Sequence, residues 1–286
     1  MSLLSQFFEF EFLRTTLYTG LIIGLIAPLL GTFVVVRRLS LIADGLSHVT
    51  LAGIAFGLFM DKKYGLAVIT PFTSGTIFSI FGAILIERLR TVYKAYQDLA
   101  IPIILSGGVG LSVIFIALAD GLNNDLYSYL FGSVSAVSKQ DFNTIRIIAV
   151  IVLTLMVVFY KELFMLSFDE EHAKVSGIHS KSIHLLFILL TALVISASIR
   201  IVGVLLVSAL MTLPVASSIR IAKGFKQTIF YSIIFGEASV ILGIVSGYYL
   251  EIPPGGTIVM VLIAFLIVTT FLQKVWLKSQ RKKAIV

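Results

Sequence analysis

Residues Leu13–Val36 read LRTTLYTGLIIGLIAPLLGTFVVV, a run in which Arg14 is the sole charge. A bilayer core of about 30 Å is crossed by about 20 apolar residues in a helix, so this run is a membrane span. It is helical, because lipid offers backbone N–H and C=O groups no partner and a strand would need a closed barrel. Eight further runs carry the same signal: Leu41–Met60, Gly65–Ile86, Leu99–Ala119, Phe142–Tyr160, Ile183–Ile199, Val202–Ala222, Thr228–Leu250 and Gly256–Leu272. The two runs flanking Arg200 have almost no linker, so one of them is expected to be broken or re-entrant. The fold class expected is all-α, a polytopic membrane protein of eight or nine spans, with residues 1–286 forming one membrane domain.

Composition agrees. The 286 residues are 58% hydrophobic and 13% charged, with mean hydropathy +1.04. Soluble domains carry roughly 25% charge. This excludes a soluble enzyme, a disordered tail and a fibrous repeat. There is no cysteine, which removes disulfides and thiolate metal sites. The net charge of +7 flanks the apolar runs or lies at the C-terminus, where membrane topology explains it and nucleic acid does not. The N-terminal MSLLSQFFEFEFLR holds two glutamates and no basic region, unlike a secretory signal.

Lysine and arginine counts predict orientation. With nine spans, sixteen fall on one side, among them Arg37, Arg38, Arg90, Lys174, Arg220 and Lys283, and six on the other: Arg14, Lys62, Lys63, Lys139, Arg146 and Arg200. The richer side is expected to be cytoplasmic, with the C-terminus on it. Were Arg200 only a kink, the parity of the upstream spans would flip. Pro28, Pro71, Pro102 and Pro214 are expected to mark kinks or span ends. Gly20/Gly24, Gly53/Gly57 and Gly243/Gly247 allow close helix contact.

The second run, LSLIADGLSHVTLAGIAFG, is the unusual one. Asp44 and His48 lie four residues apart, which puts carboxylate and imidazole on one helix face, with Ser47 beside them. Ionisable groups within a span face a partner or a water-filled path. An Asp–His pair suits zinc, manganese or ferrous iron. The alternative is an Asp–His hydrogen bond that only packs helices. Two ligands are too few for a structural zinc site, and a transit site must also release its ion.

Other polar stretches read more plainly. SFDEEHAKVSGIHSK holds Asp169, Glu170, Glu171, His172 and His179, either a metal cluster or a short amphipathic helix ended by Gly177; the helix is favoured. Glu237 lines a path or bonds a neighbouring hydroxyl, packing being preferred. Asp120 and Asp125 could attract cations at an outer mouth, or belong to a capped loop turned by Asn123 and Asn124. EIPPGGT is a tight turn. No P-loop, H-E-x-x-H or G-x-S-x-G motif occurs, so the chain holds no nucleotide hydrolysis motif of its own.

Five stretches resemble the membrane permease subunits of zinc- and manganese-type ATP-binding-cassette importers: Val35–Gly57, Asn124–Asp141, Asp169–Ile178, Arg200–Ser218 and Gly247–Val259. The resemblance implies the permease fold of the cobalamin and siderophore importers, working as a homodimer with the path on its two-fold axis. It implies that Asp44 and His48 contact the ion in transit. It also implies a cytoplasmic coupling segment, about residues 167–181, that docks an ATPase. Its pattern, E-A-A-x-x-x-G, is matched by Glu171, Ala173 and Gly177, with His172 in place of the middle alanine. The partners implied are an ABC ATPase, an extracytoplasmic metal-binding protein, a second permease copy and membrane lipid, with no nucleic acid. The location implied is the plasma membrane of a prokaryote. No cofactor is expected to stay bound; the divalent metal is cargo. LSHVTLAGIAFG is closer to zinc-type members, since manganese-type ones tend to carry proline where Ala52 stands. Manganese or ferrous iron is the alternative cargo. A secondary transporter or channel without an ATPase, and an intramembrane enzyme using Asp44, His48 and Ser47, are the other classes the residues allow.

Overall fold

The computed structural model describes residues 10–65, 70–119, 121, 124–135 and 137–283, with side chains as far as residue 275. Asp120 and Asn123, the N-terminal nine residues and the basic side chains beyond Lys274 lie outside the described residues. Among the described residues twelve α-helices follow one another: α1 Glu11–Val36, α2 Leu41–Tyr64, α3 Pro71–Val92, α4 Ala100–Leu118, α5 Asn124–Phe131, α6 Lys139–Val158, α7 Tyr160–Phe168, α8 Glu170–Val175, α9 Ser180–Val202, α10 Val207–Ile219, α11 Phe225–Leu250 and α12 Pro254–Lys283. A 3₁₀ turn, Gln97–Leu99, leads into α4. No strand occurs among the described residues.

Among the described residues eight helices are long and apolar enough to cross a membrane: α1, α2, α3, α4 with its lead-in turn, α6, α9, α11 and α12. The ninth expected run, Val202–Ala222, contracts to the thirteen residues of α10. At 1.5 Å per residue α10 is about 20 Å long, shorter than a bilayer core. It nevertheless joins the two ends of the bundle. Just before it, Val204 N donates to Tyr129 O (2.9 Å) on α5; just after it, Arg220 Nη1 donates to Gln273 Oε1 (3.5 Å) on α12. Residues 203–206 between α9 and α10 form a turn, closed by Leu206 N donating to Gly203 O at 3.3 Å. The described chain therefore makes nine passes, eight long and one short.

The two ends are chemically distinct, as the charge count requires. At one end lie the C-terminal end of α1 with Arg37, the end of α3 with Arg90, the start of α9 with His184, and Arg220; Arg37 and Arg90 both contact His184. At the other, Glu11 pairs with Lys139 at 2.6 Å, Lys62 Nζ donates to Ala119 O, and Arg200 Nη2 lies 3.2 Å from Asp141 Oδ2. Gly65–Ile86 starts later than the hydropathy run suggests, at Pro71, where Thr70 Oγ1 caps Thr73 N and the proline takes the first helical position. Pro28 and Pro214 lie inside α1 and α10. Asn124, read as a turn residue, opens helix α5 instead.

The core runs between α1, α9, α10 and α11, around Phe33 and Phe187, both with 0% exposure. Small residues let the axes close in. A Cβ on Gly20 would lie 2.8 Å from Val240 Cγ1 of α11, and one on Gly53 would lie 2.7 Å from Ser74 O of α3. A separate layer, α2 with α3 and α4, packs against this core through α9.

Candidate metal path and coupling segment

Helix α2 starts straight after a turn in which Arg38 takes φ 58°. Its first turn carries Asp44. Ala43, Gly45, Leu46 and Ser47 are buried, whereas Asp44 and His48 are half-buried. No hydrogen bond or ion pair ends on either side chain among the described residues, so the Asp44–His48 bond considered above does not form here. Ser47 is committed elsewhere: its hydroxyl donates to Asp44 O at 2.9 Å and it is 1% exposed. The only candidate nucleophile of the intramembrane-enzyme reading is thus enclosed within the helix packing.

Helix α4 crosses α2 beside this pair. A Cβ on Gly45 would lie 3.4 Å from Ile101 Cγ2, and one on Gly108 would lie 3.0 Å from the carbonyl carbon of His48. The backbones thus touch on one side of the pair, and its side chains stay half-buried. Beyond that crossing α4 buries little: Ser106, Gly107 and Gly110 are exposed, with Val113 and Ile114. No group of three or more His, Asp or Glu side chains able to hold a metal occurs among the described residues. Asp44 and His48 together present one carboxylate and one imidazole per chain.

The candidate coupling segment is helical over Glu170–Val175, as favoured over a metal cluster. Asp169 Oδ1 accepts from His172 N (2.8 Å) and caps α8, and Glu170 pairs with Lys174 at 2.8 Å; that partner raises the exposed Lys174 above its ordinary pKa. Glu171, His172 and Val175 are exposed. Gly177 takes φ 83° and nothing lies within 4 Å of where its Cβ would be, so it forms a bare corner. Ala173, by contrast, is 0% exposed: it seats the segment on the bundle, while Glu171 and Gly177 face outward.

Glu237 packs over Gly24, with its Oε2 3.3 Å from where a Gly24 Cβ would stand. That oxygen is buried without a hydrogen-bond partner, so the expected hydroxyl contact is absent. Asp125 is exposed on α5, at the end of the bundle opposite α8.

Two buried clusters were not foreseen, because their charges read as orientation markers. One is Arg200, which lies 4.5 Å over the Tyr129 ring and beside Asp141; Asp141 also closes a capping box with Ser138 at the start of α6. The other joins Arg37, Arg90, Glu87 and His184. Ionisable groups at the very ends of apolar runs, Glu87 just after Ile86 and His184 just after Ile183, were the available signal.

The fold and the placement of these residues can be compared with known proteins. The profile of the "ABC 3 transport family" matches residues 9–273. The chain belongs to that family. The manganese transport system membrane protein MntC of Listeria monocytogenes is 31% identical over 287 residues, covering 100% of both chains. The high-affinity zinc uptake system membrane protein ZnuB of Haemophilus influenzae is 30% identical, covering 93% of this chain and 98% of the relative. Among solved structures, PsaBC from Streptococcus pneumoniae in complex with Fab superposes with TM-score 0.83 at 30% identity, over 97% and 98% of the two chains. A metal-chelate type ABC transporter in an inward-facing conformation shares the fold at TM-score 0.68 and 19% identity, over 93% and 88%. This protein is a multi-pass membrane permease subunit of a metal ABC importer. It is not itself an enzyme.

Proposed function

We infer that the cargo is zinc, and that Asp44 and His48 are its ligands in transit. The observation that carries this reading is the half-buried carboxylate–imidazole pair beside the α4 crossing, on which no hydrogen bond ends among the described residues. An ionisable pair left without a partner in a span is costly unless it faces a path, and its donors suit a borderline divalent ion. Residues 1–286 act as one permease domain. Two copies face each other, so that two such pairs supply four donors, enough for a tetrahedral ion. The end bearing α8 is cytoplasmic, in a prokaryotic plasma membrane. There an ABC ATPase docks on the 167–181 segment through Glu171 and the Gly177 corner, with Ala173 as its seat. An extracytoplasmic binding protein delivers the ion at the opposite end, and ATP-driven rocking of the two copies exposes the pairs in turn. Manganese is the second reading, favoured by similarity to MntC over its whole length.

The test is reconstitution with the ATPase and binding protein in vesicles, with zinc and manganese uptake measured separately. Zinc should accumulate only with ATP. Asp44→Asn and His48→Ala should each lower uptake per folded molecule at least tenfold, about 1.4 kcal/mol per lost ligand, with assembly and basal ATP turnover intact. Unchanged uptake in both variants would return the pair to packing. Flux through the permease alone, driven by a gradient, would refute the ATP-coupled reading.

A further inference from the structure

At the α8 end of the bundle, a cavity of about 330 Å³ opens between the ends of α1 and α3, the start of α9, and α8. Five cationic side chains line it: Arg37, Arg90, Lys94, Lys174 and Lys181. Two carboxylates, Glu87 and Glu170, share the wall. Glu170 is taken by Lys174 at 2.8 Å, and Glu87 Oε2 lies 3.3 Å from His184 Nε2. The cavity is therefore net positive.

Its hydrogen-bond ledger does not balance. Arg37 Nη2 contacts His184 Nδ1 at 2.5 Å, and Arg90 Nη1 contacts His184 Nε2. A neutral imidazole has one lone pair and one N–H, and a guanidinium only donates. His184 can accept from one of the two arginines, not both, and if protonated from neither. Gln97 Oε1 takes a second Arg90 donor at 3.2 Å. Arg37 Nη1 is buried with no partner, and so is the Ser180 hydroxyl. Ser180 and His184 are only 7% and 8% exposed. Ser180 is also the first residue of the 23-residue α9, whose opening N–H groups add positive potential at the cavity wall. Burial, and then the neighbouring Arg90, push the Arg37 guanidinium down to about 10. Glu87 Oε2 is buried without a hydrogen-bond partner as well, but this single acceptor is outnumbered by the donors left over from Arg37, Ser180 and whichever arginine His184 does not accept from.

We propose that this cavity binds a phosphate-class oxyanion, which accepts from Arg37, Arg90 and Ser180 and ties α8 to the ends of α1, α3 and α9. A tetrahedral oxyanion presents several acceptors at once, and guanidinium groups match it geometrically. The same chemistry comes from two sources: the phosphodiester of an anionic lipid headgroup, or soluble phosphate. The proposal does not depend on which metal the permease carries.

The experiment uses the full chain, purified in an uncharged sugar detergent. One arm adds millimolar inorganic phosphate against chloride of equal ionic strength. The other adds phosphatidylglycerol against phosphatidylcholine. Thermal unfolding midpoint and retained lipid by native mass spectrometry are read in both. Arg90→Gln and Lys181→Gln remove cavity donors; the Lys181 side chain is exposed, so that variant folds even if Arg90→Gln does not. Lys226→Gln, on the same end but outside the cavity, is the charge control. Wild type and Lys226→Gln should be stabilised by one of the two additives, and both cavity variants should bind it at least tenfold more weakly. A response to phosphate identifies the soluble source, and one to phosphatidylglycerol alone the lipid headgroup. Equal shifts with chloride and phosphatidylcholine, or equal binding by Lys181→Gln and Lys226→Gln, would overturn the proposal.

Discussion

Gly108 should be the least replaceable glycine of α4, and the effect can be estimated from the crossing. A Cβ there would stand 2.8 Å from Val49 N, 2.9 Å from Val49 Cγ2 and 3.0 Å from the His48 carbonyl carbon. Two of these three atoms belong to the α2 backbone, which cannot rotate away. Ordinary contact begins near 3.4 Å, so Gly108→Ala forces α4 outward by about 0.4–0.6 Å. Overpacking of this kind costs about 1–3 kcal/mol. Gly107 and Gly110 provide the controls, because a Cβ at either meets nothing within 4 Å. All three glycines lie inside the same helix and share the propensity gain of alanine, up to about 1 kcal/mol. The difference between Gly108→Ala and its two neighbours therefore isolates the steric cost. Thermal unfolding of the three purified variants should place Gly108→Ala lowest by that 1–3 kcal/mol. Uptake per folded molecule should fall with it, since the displaced wall borders His48. Three variants of equal stability would refute the crossing and, with it, the placement of Asp44 and His48 beside α4.

Gly177→Arg should abolish ATPase binding while the permease still inserts, and Gly177→Ala, which bears the same left-handed backbone cost of about 1–2 kcal/mol, should still bind; co-purification with the ATPase checks both. Tyr129→Phe should leave thermal stability unchanged or raise it by up to about 1 kcal/mol. The phenol oxygen is buried without a partner and burial pushes its pKa up to about 12, whereas the ring under Arg200 is kept.

What the sequence made legible is what lipid enforces locally. A run such as Leu13–Val36 must be helical wherever its neighbours lie, so the spans were recoverable one at a time. The partition of charge was recoverable too: the lysine and arginine asymmetry separates Arg37, Arg90 and Arg220 from Lys139 and Arg200, and the structure places these groups at opposite ends. Hydropathy was less informative about where a helix begins. Pro71, rather than the first apolar residue at Gly65, starts α3, because proline at the first position loses no hydrogen bond there. The run at Val202 was shortened by Gly203, whose φ of 84° ends α9 and delays α10 until Val207.

Partnership between distant residues was not legible, and the two ionic clusters show why. Asp44 and His48 are four residues apart, so one helix turn brings them together and the spacing alone exposes the pair. Arg37 and His184 are 147 positions apart, and Arg90 and His184 are 94 apart; only the crossing of α1, α3 and α9 brings them into one cavity. Each of those arginines satisfied an orientation rule, which accounted for its charge and left its hydrogen-bond donors uncounted. The donor count becomes informative only after packing has shown which acceptors are within reach. Once it is made, the two ends of α9 differ in kind. Arg200 finds Asp141 and the face of Tyr129, whereas His184 must face two guanidinium groups with a single lone pair. An imbalance of that sort, at the end of the bundle that carries α8, is the feature a bound oxyanion would relieve.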